Sequence, residues 1–102
     1  MAWRYQPVIF GEGENAHVSL VEVYLRDDDT LDGWTDGVSV SGDDIEDMAG
    51  DLAHMWIDAM CWKPVHYAEL SPGLAFERTV DQTTRNELAE FLERGGSFLL
   101  PA

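Results

Sequence analysis

One long amphipathic helical pattern, over residues 43–62, most constrains how this chain can fold. It stops before Pro64, which cannot continue a helix. At about 100° per residue, its large apolar side chains fall within an arc of about 120°. Such a face needs a sheet or another helix to cover it. The residues predicted to form this core face are Ile45, Met48, Leu52, Met55, Trp56 and Ala59.

The segments before this helix predict a sheet. Aromatic and β-branched residues alternate there with polar ones, which is typical of half-buried strands. In the second strand we expect Val18 and Leu20, together with Val23 or Leu25, to face the core, with a bulge near Leu20-Val21 where the alternation slips. The simplest arrangement is an antiparallel meander. The predicted strands are residues 3–10, 17–26 and 34–40, and a turn over 27–33 separates the last two.

The C-terminal part predicts a short strand over 64–70 and a second helix from Asp81 or Thr83 to Arg94. Leu88, Phe91 and Leu92 share one face of that helix, Gly95-Gly96 ends it, and an apolar tail follows. The predicted fold class is therefore α+β: an antiparallel three- to four-stranded meander packed by one long amphipathic helix, plus a second C-terminal helix. The whole chain, 1–102, is expected to be a single domain, with 71–102 as a C-terminal helical extension.

The charge balance limits the classes of partner. The chain has 20 acids and 6 bases, a formal net charge of −14. Such a charge disfavours nucleic acid and anionic membranes as direct partners and favours a basic protein. A single cysteine, Cys61, and the lack of a signal-peptide pattern predict a cytoplasmic protein. Nothing in the sequence predicts a cofactor, and the oligomeric state stays open, a dimer included.

Much of the acidity is concentrated on one side of the long helix. Asp44, Asp47, Asp51, His54 and Asp58 fall within an arc of about 80° beside the apolar face, and residues 27–58 contain 11 acids and no Lys or Arg. Two interpretations compete: a solvated face in an acid-rich proteome, or a surface presented to a basic partner, as in a nucleic-acid mimic. The candidate partner-binding residues are Asp44, Asp47, Asp51, Asp58, Asp28, Asp32 and Trp62.

Other groups of residues resemble metal or catalytic sites only in part. Residues 28–36 resemble the first nine positions of a calcium loop, but position 12 falls on Ser39, where a glutamate is needed. A tight turn with an Asp in the left-handed region and Gly33 at positive φ is the stronger interpretation. His54, Cys61 and His66 match no metal-ligand spacing. The chain has no nucleophile elbow, phosphate-binding loop or dinucleotide motif, which favours a non-enzymatic protein.

An alternative places the contact on a hydrophobic patch around Trp62 and Tyr67, as in a toxin-immunity or accessory protein, since exposed tryptophan often anchors an interface. A small metal-dependent module is the remaining alternative. These three classes respond differently to salt, to mutation of Trp62 and to added metal.

Several short motifs extend over about two-thirds of the chain. They are Trp3-Arg4-Tyr5, Glu22-Val23-Tyr24, the acidic turn 27–32, Gly33-Trp34-Thr35, the strand Val38–Ser41, the 43–62 helix and Lys63-Pro64-Val65. In these the chain resembles a group of small bacterial and phage-borne proteins of unknown function, which mostly lack residues after Ser71. The resemblance implies no catalytic role. Phage-borne relatives imply anti-defence inhibitors, whose acidic members occlude nucleic-acid sites.

Overall fold

The computed structural model describes residues 2–94, which form an α+β fold of one four-stranded sheet and two α-helices, with two short 3-10 turns. The predicted helix end at Gly95-Gly96 and the apolar tail lie outside the described residues. The elements are β1 (Ala2–Phe10), a 3-10 turn (Gly13–Asn15), β2 (His17–Leu25), β3 (Leu31–Thr35), α1 (Ile45–Cys61), β4 (Val65–His66), a second 3-10 turn (Tyr67–Glu69) and α2 (Gln82–Arg94).

The sheet is mixed, with strand order β3-β2-β1-β4. The first three strands form the predicted antiparallel meander. After β3 the chain passes through α1 and returns beside β1, where β4 pairs in parallel with Val8 and Ile9. The α+β class is confirmed, whereas a purely antiparallel meander is only partly matched, because the α1 connection brings β4 back in the same direction as β1.

The register between β1 and β2 decides which residues enter the core. Gln6 lies opposite Val21, and Arg4 lies opposite Val23, so these pairs share one face. That face carries the main core of Val8, Val21, Val23, Leu25, Leu31 and Leu70. Val18 belongs to the other face and is 59% exposed. The prediction that it faces the core was therefore wrong, and the pairing runs through Val21 without a bulge.

The third strand occupies Leu31–Thr35 instead of the predicted 34–40. The turn before it closes within five residues, since the Arg26 N–H donates to the Thr30 carbonyl at 2.8 Å. Asp29 takes the left-handed conformation at φ 65°. Gly33 lies inside β3 and has no positive φ, so a single Asp makes this turn without it. The strand starts early because the turn is short.

A second, smaller core lies between the helices. Ile57 and Cys61 of α1 pack with Leu92 of α2, and Leu88 packs against their edge. Phe91, which was expected on the same apolar face as Leu92, is 53% exposed. Only the Leu88 and Leu92 side of α2 is therefore turned toward α1.

Candidate functional site: an acidic cleft beside an exposed helix face

α1 presents to solvent the face that the sequence predicted as its core. Ile45 is 67% exposed, and Met48, Leu52 and Trp56 are exposed as well. Ala59 is exposed and Met55 is only half-buried. The buried residues of α1 are Ile57, Asp58 and Cys61, on the opposite side. The predicted orientation of the helix was wrong by about half a turn.

Polar contacts to Tyr5 fix this orientation. The Tyr5 hydroxyl donates to Asp51 Oδ1 at 2.6 Å, and the Tyr5 backbone N–H donates to Asp58 Oδ2 at 3.0 Å. β4 pairs with β1 only at Val8 and Ile9, so it does not reach the Tyr5 N–H. Asp51 and Asp58 are two helical turns apart, about 10 Å along the axis. One tyrosine on β1 thus holds α1 at two points.

The two carboxylates at these points differ in their surroundings. Asp58 is 5% exposed, and this burial raises its pKa, opposed by the Tyr5 N–H, His54 and Arg4. Asp51 is half-buried and also accepts from the Ser41 N–H at 3.1 Å. Burial raises the pKa of Tyr5, and the hydrogen bond to Asp51 raises it further. These acids stabilise the packing of the helix on the sheet.

The predicted acidic stripe is therefore divided. Asp44 is the N-cap of α1, where its side chain accepts from the Asp47 N–H at 2.8 Å. Asp44 and Asp47 are exposed. His54 is exposed and meets the Trp3 ring edge-on at 6.3 Å. Only the N-terminal end of the stripe presents carboxylates to solvent, while Asp51 and Asp58 turn toward β1.

A cleft of about 550 Å³ opens between the first turns of α1, the sheet and the loop over 36–43. Among the described residues, its lining has no basic side chain. We call this the acidic cleft. Its five carboxylates are Glu22, Asp36, Asp43, Asp47 and Asp51.

The loop that forms one wall of the cleft is fixed against α1. A Cβ at Gly42 would overlap the Met48 backbone nitrogen and the Asp47 side chain, so no larger residue fits there without a shift. The neighbouring Ser41 N–H is the one that donates to Asp51. The cleft thus has a defined wall, built by a close approach that only glycine allows.

Exposed apolar side chains line the neighbouring side of the same helix. They span 16 residues, a rise of about 22 Å along the helix, within an arc of about 120°. We call them the apolar face of α1: Ile45, Met48, Leu52, Trp56 and Met60. A contiguous apolar surface of this kind is typical of an interaction site.

The remaining candidate residues lie elsewhere. Asp28 Oδ1 accepts hydrogen bonds from both the N–H and the hydroxyl of Thr30, which lowers the Asp28 pKa. Asp32 pairs with Arg26 at 3.4 Å, with both side chains about half exposed. Asp28 belongs to the turn before β3 and Asp32 to β3 itself, and neither lines the acidic cleft.

Trp62 is half-buried and lies in a second cavity, of about 690 Å³. The Arg4 guanidinium stacks on its ring at 3.6 Å, and Arg78 lies over it at 4.7 Å. Burial lowers the pKa of Arg4 to about 10. Tyr67 packs on Phe10 with ring centroids 4.9 Å apart. Trp62 and Tyr67 therefore have separate surroundings.

The sequence interpretation missed Tyr5, Arg4 and Gln6. Gln6 is fully buried, donates to the carbonyls of Pro7 and Lys63, and accepts from Arg4 Nη1 at 2.7 Å. Their spacing gave a signal, because Arg4, Gln6 and Val8 are two residues apart and so lie on the same face of β1. Polar residues at core positions of a strand indicate a buried network.

Within residues 2–94, His, Cys, Asp and Glu side chains form no group of three suited to a metal ion. The same range contains no helix with the length and apolarity needed to cross a bilayer. Comparison with known protein families, curated proteins and solved structures gives no significant match. The resemblance to small phage-borne proteins stays a prediction.

Proposed function

We propose that this chain is a non-enzymatic binding protein, of inhibitor type, that captures a basic protein through the acidic cleft and the adjoining apolar face of α1. The observation that carries the proposal is the juxtaposition on one helix of a base-free cleft and an uncovered apolar surface. The partner surface that fits has an apolar centre with Lys or Arg beside it.

Charge complementarity selects this partner. The net charge of −14 opposes the approach of a second copy of this chain or of any acidic protein. Lysine and arginine side chains entering the cleft gain most from its exposed carboxylates, Asp36, Asp43 and Asp47. Such pairing raises the association rate more than the final affinity. The affinity itself then comes from covering Leu52, Trp56 and their neighbours.

A strict nucleic-acid mimic would present an unbroken row of carboxylates. On α1 this row is exposed only at Asp44 and Asp47, because Asp51 and Asp58 bind Tyr5. The phage anti-defence role, proposed from resemblance, therefore takes a different form here. The inhibitor would engage lysine and arginine side chains of its target through the cleft, with the apolar face providing the contact area.

The test uses a synthetic amphipathic helical peptide of leucine and lysine, and its glutamate-for-lysine analogue. We expect the lysine peptide to bind with strong salt dependence and the glutamate analogue not to bind. Asp43→Lys with Asp47→Lys should weaken binding about 10-fold or more. The matched control is Glu12→Lys with Glu14→Lys, which makes the same charge change in the exposed β1–β2 turn.

Equal weakening by the cleft pair and the control pair would contradict the proposal, because bulk charge would then explain binding. Leu52→Ser should remove the binding that persists at high salt. Failure of the lysine peptide to bind would contradict a basic partner. A dimer at neutral pH that Trp56→Glu dissociates would instead show that a second copy of this chain covers the apolar face.

A further inference from the structure

The second cavity is unusual for so acidic a chain. Three of the six basic residues of the sequence, Arg4, Arg78 and Arg85, line this one space of about 690 Å³. They come from β1, from the segment before α2 and from α2 itself. This concentration is independent of the acidic cleft, and the two cavities share no lining residue.

Arg4 has one edge that is satisfied and one that is not. Its Nη1 donates to the Tyr5 carbonyl at 2.9 Å and to Gln6 Oε1 at 2.7 Å. Its Nε and Nη2 are covered from solvent and have no hydrogen-bond partner among the described residues. A guanidinium is rarely left this way, because unpaired buried donors of a charged group are costly.

The unpaired atoms specify the chemistry of the missing partner. Nε and Nη2 lie on the same edge of the guanidinium, so together they present two parallel N–H donors. This fork matches the two oxygens of a carboxylate. The aromatic surroundings, with Trp62 at 3.6 Å and Phe76 at 4.9 Å from the guanidinium carbon, add a place for a flat apolar body.

Charge decides between a carboxylate and a phosphate. The same cavity is lined by Asp28, Asp29 and Asp58, which balance the three arginines. A multiply charged phosphate would therefore enter next to three carboxylates with no net positive charge to receive it. A monoanion is the better match, and the volume lies within the range of about 300–1,000 Å³ that small-molecule sites occupy.

We propose that this cavity binds a small aromatic carboxylic acid, with its carboxylate paired to Nε and Nη2 of Arg4 and its ring beside Trp62 and Phe76. Because both nitrogens are covered, a side chain at the cavity must move to admit the ligand. We expect this to be Arg78, which is exposed and stacks on the same indole, with a single hydrogen bond to Gln82 at 3.0 Å.

The test follows the arginine Nε–H signals of ¹⁵N-labelled full-length protein during titration with benzoate. We expect the chemical shift of the Arg4 Nε–H to change with benzoate and to saturate at about 10 mM. The same concentration of benzamide, which has the same ring without the charge, should leave it unchanged. Arg4→Lys keeps the charge but loses the fork, and should weaken binding about 10-fold. The matched control is Arg26→Lys, because Arg26 pairs with Asp32 and does not line the cavity.

Three results would overturn the proposal. One is the absence of a saturable benzoate shift in the folded wild-type protein, which needs no variant to fold. Another is equal binding of inorganic phosphate, which would indicate an unspecific anion site. The third is an Arg4 Nε–H signal that ignores benzoate but moves in Asp58→Asn, which would show that Asp58 itself occupies the fork in solution.

Discussion

Replacing Asp58 by alanine removes the acceptor of the Tyr5 backbone N–H, which is 3.0 Å from Asp58 Oδ2 in a region where the carboxylate is 5% exposed. An unsatisfied buried N–H costs about 1–3 kcal/mol of unfolding free energy. In a domain of this size each kcal/mol lowers the melting temperature by about 4–8 °C. Asp58→Asn keeps an oxygen acceptor and removes the buried charge, so we expect it to be at least as stable as the wild type at neutral pH.

The pH dependence gives a second measurement of the same interaction. Burial raises the pKa of Asp58 in the folded state, so the folded protein takes up this proton at higher pH than the unfolded chain. The wild type therefore gains stability relative to Asp58→Asn as pH falls from above the folded pKa toward the unfolded value of about 3.9. Urea unfolding of both proteins across this range measures the difference. An alanine variant within about 0.5 kcal/mol of the wild type would contradict a stabilising role for the Asp58 acceptor. A wild type whose unfolding free energy falls relative to Asp58→Asn on acidification would contradict the raised pKa.

Further predictions test the orientation, the buried thiol and the cleft wall. Ile57→Ala should cost about 2–5 kcal/mol in urea unfolding and Leu52→Ala about 0.5 or less, and equal losses would mean that α1 buries its other face. Because burial raises the pKa of Cys61, iodoacetamide should alkylate the folded protein far more slowly than the urea-unfolded chain; equal rates would show an accessible thiol. Gly42→Ala should lower the unfolding free energy by about 1–3 kcal/mol, and Gly50→Ala, in open space inside the helix, should raise it; the opposite order would contradict the close approach at residue 42.

Local signals predicted the elements well. The predicted helix over 43–62 matches α1 to within two residues at each end, and Pro64 gives the C-terminal bound, because helix ends depend on nearby side chains. β1 and β2 also follow from alternation alone. The parallel pairing of β4 did not, because two residues of strand carry almost no pattern of their own.

The face of α1 was the main error, and it changes which of the predicted site residues are exposed. Apolar periodicity predicted Leu52 and Trp56 as core residues. That prediction rests on the usual preference of carboxylates for solvent. In the fold, Asp51 and Asp58 instead satisfy donors of Tyr5 across a sequence distance of 46 and 53 residues. No local pattern encodes such a pairing, since it depends on which edge of β1 stays uncovered.

The outward apolar face of α1 also has a colloidal consequence. At neutral pH the repulsion due to the formal charge of −14 keeps the molecules apart, even though apolar side chains face the solvent. Near the isoelectric point of about 4.2 that repulsion disappears while the helix surface stays apolar. Solubility therefore rests on ionised carboxylates, and acidification toward pH 4.2 turns the surface that we propose for a basic partner into one that favours association between molecules of this chain.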